Sequence, residues 1–315
     1  MLVRSASHAG SWYSADPARL SAQLNQLFAA ASLSPQPGAR VLIGPHAGYT
    51  YCGARLAETY STWDTKNVRR VFVLGPSHHV YFRDSAMTSH YAYYDTPLGR
   101  LQVDQDVCTN LVKSCSLFKY MSRSVDDDEH LFEMHAPFIA HRCKQDGVAP
   151  KIVPILISGM SKLLRKDIVS ALLPYMQLPE NTFVVLLDFC HWGRRFGYTM
   201  YVPGEDLEDL DDLVVLSKGE NPIYKSIEVL DRTAMRIAAQ GLVTKWDEYI
   251  DTTRNTICGQ KPVAIVLSLI EKYRKHGGGI ANESVFEWLG YSQSSQATHK
   301  NDSSVSYASG YVQLV

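Results

Sequence analysis

A mostly parallel or mixed central sheet flanked by helices is the architecture the sequence predicts, an α/β fold. Two observations predict it. Short apolar runs of strand length alternate with longer stretches whose apolar residues recur at helical spacing. Three of the short runs also break directly into glycine- or proline-bearing turns that carry histidine, and the carboxyl edge is where such sheets bind ligands.

The elements follow in order. Asp16 can cap a first helix whose first turn suits Pro17, and Leu20, Leu24, Leu27 and Phe28 fall on one face. Strands are expected at 41–44, 71–74, 152–157 and 183–187. Pro154 has no N–H for a ladder, which points its strand to an edge or a bulge. Ser161 can cap a helix carrying Leu164, Ile168 and Leu172, and a longer one begins at Asn221-Pro222 and turns Ile223, Ile227, Leu230 and Ala234 inward. Thr244 and Asp247 read as the capping box of a short helix through Tyr249. A last helix covers 261–275 with Val263, Val266, Leu267 and Ile270 buried, and Gly277-Gly278-Gly279 ends it. Segments 284–289 and 304–314 read as strands.

The 315 residues, 45% hydrophobic and 20% charged, allow a sizeable core, and the whole chain is expected to form one domain. A net charge of −1 gives no electrostatic ground for binding nucleic acid or an anionic membrane. No apolar run approaches the roughly 20 residues of a membrane span, and residues 1–8 lack the apolar core of a signal peptide. The expected compartment is cytoplasmic, with the nucleus as a second. Residues 203–220 hold Glu205, Asp206, Glu208, Asp209, Asp211 and Asp212 without the ligand spacing or turn glycine of a calcium loop, and read as an acidic surface loop.

The chemistry gathers at strand ends. The first strand runs into Pro45-His46-Ala47-Gly48, the second into Gly75-Pro76-Ser77-His78-His79, and the fourth into Asp188-Phe189-Cys190-His191-Trp192. Parallel strands would set His46, His78 and His191 along one edge, as a metal or an acid–base site, or merely as turns. The six cysteines form no C-x-x-C pair, so each is an apolar filler or a functional thiolate. Cys258 precedes the last helix, whose amide donors and dipole favour a thiolate that suits a soft metal. In Asp126 to His135, Glu129 and Glu133 stand one helical turn apart. They could orient ligand histidines or could simply charge a helix start.

Taken together these segments resemble the Memo (mediator of cell motility) family over nearly the whole chain. The likeness also rests on Ser7-His8-Ala9-Gly10-Ser11-Trp12-Tyr13, Asn255-Thr256-Ile257-Cys258-Gly259 and Asp302-Ser303-Ser304-Val305-Ser306-Tyr307-Ala308. The resemblance implies a fold similar to class III extradiol dioxygenases, which hold iron with two histidines and a carboxylate. His46 and His78 then take the histidine places and Cys258 the carboxylate place, with His191 as the acid–base residue and Asp188 beside it. Copper or iron is the implied metal, with zinc admitted by the thiolate. The implied role is redox activity in cell-migration and cytoskeletal signalling downstream of receptor tyrosine kinases. Thiolate in place of carboxylate argues against ring cleavage. A metal-dependent oxidoreductase, a non-enzymatic adaptor for phosphorylated receptor-tail peptides, with Arg194 and Arg195 as anion contacts, and a copper or iron handling protein all stay open. Leu186 and Leu187 stand where relatives carry small polar residues, and imply a more apolar wall.

Overall fold

Four strands of nearly unbroken apolar sequence build the centre of the fold. Strands covered on both faces cannot alternate polar with apolar residues, and these do not. The computed structural model describes residues 2–204, 206–207, 213–215 and 222–315. Most of the expected acidic loop, including Glu205, Glu208, Asp209, Asp211 and Asp212, lies outside the described residues, as does Asn221.

In chain order come β1 (Val3–Arg4), α1 (Pro17–Ala31), β2 (Ala39–Gly44), α2 (Tyr49–Thr62) and β3 (Arg70–Pro76). Then follow β4 (Ala86–Thr88), β5 (Tyr93–Tyr94), β6 (Leu101–Gln102), α3 (Gln105–Ser114), β7 (Phe118–Tyr120), α4 (Arg123–Asp128) and α5 (Leu131–Asp146). The second half holds β8 (Lys151–Ile157), α6 (Lys162–Met176), β9 (Asn181–Leu186), β10 (His191–Trp192), β11 (Met200–Tyr201) and β12 (Val214–Val215). It closes with α7 (Ile223–Gln240), α8 (Val243–Thr253), α9 (Gln260–Lys275), β13 (Glu287–Gln293) and β14 (Ser304–Gln313).

The main sheet runs β10-β14-β2-β9-β3-β8-β4-β7, with β13 also paired to β14. β2, β9, β3 and β8 are mutually parallel, and β14 and β4 pair with their outer members antiparallel. The sheet is therefore mixed around a parallel centre. Helices α1, α2 and α5 pack together beside β2 and β3, while α6 and α9 pack together against β9 and β3. A smaller apolar cluster, including Trp192, Tyr198, Ile227 and Leu230, joins α7 to the β10 region.

Local signals act as expected at two helix starts. Asp16 accepts from the Arg19 amide at 2.8 Å, and Ser161 from the Leu164 amide at 3.3 Å. Each satisfies one of the amides that a helix start leaves open.

Several expectations need correction. Pro154 lies neither at an edge nor at a bulge, because β8 is flanked by β3 and β4. β4 is short, and its pairing stops at Thr88 opposite Ile155. The proline thus faces the side where the ladder has already ended, and its carbonyl accepts the Thr88 hydroxyl at 2.8 Å. The capping box at Thr244 does not form. α8 begins at Val243 with no side-chain cap and continues to Thr253. Asp247 instead makes a two-pronged ion pair with Arg165, at 2.9 and 2.8 Å, from a different helix. The penultimate strand starts at Glu287 rather than 284. Glu129 and Glu133 do not share one helix, since Glu129 caps the end of α4 and Glu133 lies in the first turn of α5.

Gly259 is where the last helix meets the sheet. A Cβ there would lie 2.2 Å from Leu187 Cβ and 2.6 Å from the Leu186 carbonyl oxygen, so only glycine lets the turn approach. Gly259→Ala is expected to lower stability by about 1–3 kcal/mol through overpacking. The check is a shift of the urea midpoint at unchanged slope; an unchanged midpoint would refute the tight contact.

Candidate metal centre

Three parallel neighbours end at the same level, and each delivers a polar side chain two residues past its end. β2 ends at Gly44 and gives His46, β3 ends at Pro76 and gives His78, and β9 ends at Leu186 and gives Asp188. The turn between α8 and α9 brings Cys258 over the end of β9. One donor atom each from His46, His78 and Cys258 lies within 4.8 Å of the others.

His46 is buried and His78 stands at the solvent rim with its side chain 26% exposed, while Cys258 is half-buried. The group therefore opens to solvent on the His78 side rather than being sealed.

The imidazoles are aimed by buried carboxylates. His78 donates from Nδ1 to Glu129 Oε1 at 2.9 Å, and its amide donates to Oε2 at 2.8 Å. A carboxylate only accepts, so Nδ1 carries a proton and Nε2 is the nitrogen not engaged by Glu129. Desolvation pushes the Glu129 carboxyl up, but the bonds from His78 outweigh it and leave the pKa below the usual range. Asp188 bonds the backbone of His46 but not its ring. Its Oδ1 accepts the His46 amide at 3.0 Å, and its Oδ2 lies 3.8 Å from Nδ1. That Nδ1 is buried with no hydrogen-bond partner, while Nε2 lies 3.1 Å from Cys258 Sγ.

Asp188 also holds the cysteine. Its amide donates to Cys258 Sγ at 3.1 Å, and its carbonyl accepts from the Cys258 amide at 3.3 Å. Desolvation and the Asp188 charge push the Cys258 thiol well above its ordinary pKa. Cys258 lies two residues before α9, and this desolvation opposes the thiolate that the helix end favours. Burial likewise pushes Asp188 up to about 7, against the opposing bond from the His46 amide. Desolvation, with the charges of His78 and His130, holds His46 well below its ordinary pKa, so it is neutral.

The donor set fits a metal ion. Two imidazoles and one sulfur gather within 4.8 Å, and Glu129 accepts from His78 Nδ1 as a ligand histidine requires, while Asp188 stands 3.8 Å from His46 Nδ1. A cation would also settle the sulfur, which loses its proton on coordination. Two nitrogens and a sulfur suit copper, zinc or iron rather than calcium or magnesium.

His191 opens β10, three residues past Asp188, close enough for its charge to act on His46. Its Nδ1 lies 3.0 Å from the Phe189 carbonyl and 3.1 Å from the Thr256 carbonyl. Both can only accept, so Nδ1 bears the proton and Nε2 is left as the basic nitrogen. Desolvation lowers its pKa against these two bonds.

Sequence reasoning set His130 one helical turn from Glu133 as support for a ligand histidine and gave His135 no distinct role. The His130 ring lies 4.7 Å from that of His78 and 5.4 Å from that of His46. Desolvation and the His78 charge bring its pKa down to about 4. His135 is fully buried, donates to the Pro45 carbonyl at 2.8 Å and receives the Tyr60 hydroxyl at 2.8 Å, so it fixes the turn before His46. Glu133 does not reach the ligands. It binds His8, Tyr13 and Arg4, and so anchors the N-terminal segment. The one readable sign of these roles was the density of acid and histidine between 126 and 135.

A cleft of about 500 Å³ begins at Ala47, the residue after His46, and is lined among others by Trp12, Tyr51, Arg195, Ser303 and Tyr307. Arg195 brings a positive charge to it, while no carboxylate lines it among the described residues. Also among the described residues, no helix is long and apolar enough to cross a membrane.

Residues 4–311 match the family model described as Memo-like protein. The MEMO1 family protein MHO1 of Saccharomyces cerevisiae is 40% identical over 343 aligned positions covering all of both chains. Protein MEMO1 of Xenopus laevis is 42% identical over 98% of this chain and 97% of its own. Protein MEMO1 of Homo sapiens is 40% identical over the same shares. With its full-length match and these relatives, the chain belongs to the Memo family.

Proposed function

We propose that the chain, acting as one domain, holds a single metal ion on His46, His78 and Cys258 and works as a redox-active regulator. Copper or iron is the ion favoured by the donors, with zinc as a further fit. The observation that carries the reading is the pair of buried carboxylates, Asp188 and Glu129, that stand behind the two imidazoles while their other nitrogens are left for a ligand. A bound copper or iron ion supplies one-electron exchange. The protein's own groups supply the rest. His46, His78 and Cys258 set the position, and Leu186 and Leu187 exclude water from beneath it. Asp188, with its pKa near neutrality, can hold a proton beside His46 Nδ1, and His191 can accept one at Nε2. Family membership supports a place in cell-migration and cytoskeletal signalling downstream of receptor tyrosine kinases, in the cytoplasm and also the nucleus.

The cleft that begins at Ala47 favours a second reading, a non-enzymatic adaptor for phosphorylated receptor-tail peptides. Arg195 would pair with the phosphate. A third reading, copper or iron handling without turnover, would use the same three ligands and no proton carrier.

Elemental analysis of protein purified without added metal is expected to show near-stoichiometric copper or iron. Cys258→Ala should lose it while the circular dichroism spectrum stays native; unchanged metal content in that variant would end the reading. His191→Ala is expected to retain the metal and to lose about 10²-fold or more in any oxidase turnover. Turnover at the parental rate would leave metal handling as the better account. Phosphorylated and unphosphorylated receptor-tail peptides in a pull-down test the adaptor reading, which requires the phosphorylated peptide to bind more tightly and Arg195→Ala to remove the difference.

A further inference from the structure

The environment of Glu129 contains a second group of metal-ligating atoms. His78, Glu129 and His130 each offer one donor atom within 4.8 Å of the others. The same carboxylate oxygen, Glu129 Oε1, lies 2.9 Å from His78 Nδ1 and 3.4 Å from His130 Nδ1. Two imidazole nitrogens thus converge on one buried anionic oxygen. That is more than orienting His78 requires, because one nitrogen would suffice.

His130 does not belong to the first group, which comprises His46, His78 and Cys258. Its position is nonetheless well defined. It follows the end of α4, caps α5 and packs at 4.8 Å against Trp12. Arg4 accounts for how Glu129 is held there. Its guanidinium donates to the Glu129 carbonyl at 2.8 Å and the Asp126 carbonyl at 2.8 Å, and it pairs with Glu133 at 3.0 Å. The Glu129 backbone is therefore fixed without using its carboxylate, which is free to serve the two histidines.

We propose that His78, Glu129 and His130 form a second cation site adjoining the first, with His78 shared between them. It rests on the preceding reading only through that shared ring. With two nitrogens and a carboxylate oxygen, the site is harder than the thiolate site and takes a divalent ion such as zinc(II), manganese(II) or cobalt(II). The ion replaces the proton that His78 Nδ1 now donates to Glu129, and that proton leaves to solvent. When both sites are filled, His78 bridges them as imidazolate. Charge is met locally, by the Glu129 carboxylate at the second site and the Cys258 thiolate at the first.

Cobalt(II) alone, titrated into protein stripped with a chelator, distinguishes the two sites. Only the first gives a thiolate-to-cobalt charge-transfer band, while both give ligand-field absorption. Wild type is expected to bind about two equivalents. His130→Ala should lose one equivalent and keep the charge-transfer band. Cys258→Ser should lose the band and keep one equivalent. If thermal melting shows that His130→Ala is unfolded, His130→Gln makes the same test, since it lacks an imidazole. A wild type that binds a single equivalent and shows the charge-transfer band, or a folded His130 variant that still binds two, overturns the proposal. A wild type without the charge-transfer band, whose bound cobalt is lost in the His130 variant, would sink the first site and leave the second standing.

Discussion

Asp188 is the tie on which the arrangement depends. A single residue at the end of β9 accepts the His46 amide, donates its own amide to the Cys258 sulfur and receives the Cys258 amide on its carbonyl. Two of those three bonds use the backbone of Asp188 itself, so on its side they are fixed by where the strand stops rather than by a rotamer. The chain positions 46, 188 and 258 are distant in sequence, and nothing local would bring them together. The parallel sheet does so by ending β2 and β9 at one level, and the tight glycine turn lets the cysteine segment cross above.

Keeping acids in such a place has an electrostatic cost, and the two carboxylates meet it differently. Glu129 gathers donors from His78 and is held below the ordinary carboxylate range. Asp188 has fewer and is raised to about 7. Two acids behind two histidines therefore differ in protonation near neutrality. One acts as a permanent anion and the other as a group that can exchange a proton. Arg4 supports the first of these from the opposite side, binding backbone carbonyls at the end of α4 so that the carboxylate of Glu129 stays available.

Much of this was legible in the sequence, for identifiable reasons. The central strands declare themselves because they are buried on both faces, and the helix starts at Asp16 and Ser161 because a cap is a three-residue event. Histidines just past strand ends could be placed on one edge once the strands were taken as parallel. What failed was whatever depended on a remote partner. The position of Pro154 is decided by how early β4 stops, and the use of Asp247 by an arginine 82 residues away. The break between α4 and α5, which separates Glu129 from Glu133, is set by Arg4 at the far end of the chain. The desolvation that opposes a thiolate at Cys258 is created only by the folded neighbourhood.

The unequal exposure of His46 and His78 bears on how an ion would enter and leave a site built on them. His46 is fixed deep in the protein, whereas His78 faces outward yet is held in place by Glu129. The bonds that aim the donors run between protein groups, so the cradle can be assembled before any ion arrives. Loading is then a matter of access and ligand exchange in the native molecule rather than of coupled folding. Residence time should follow the chelating strength of the surrounding pool, and occupancy would report the supply of labile ions rather than the history of synthesis.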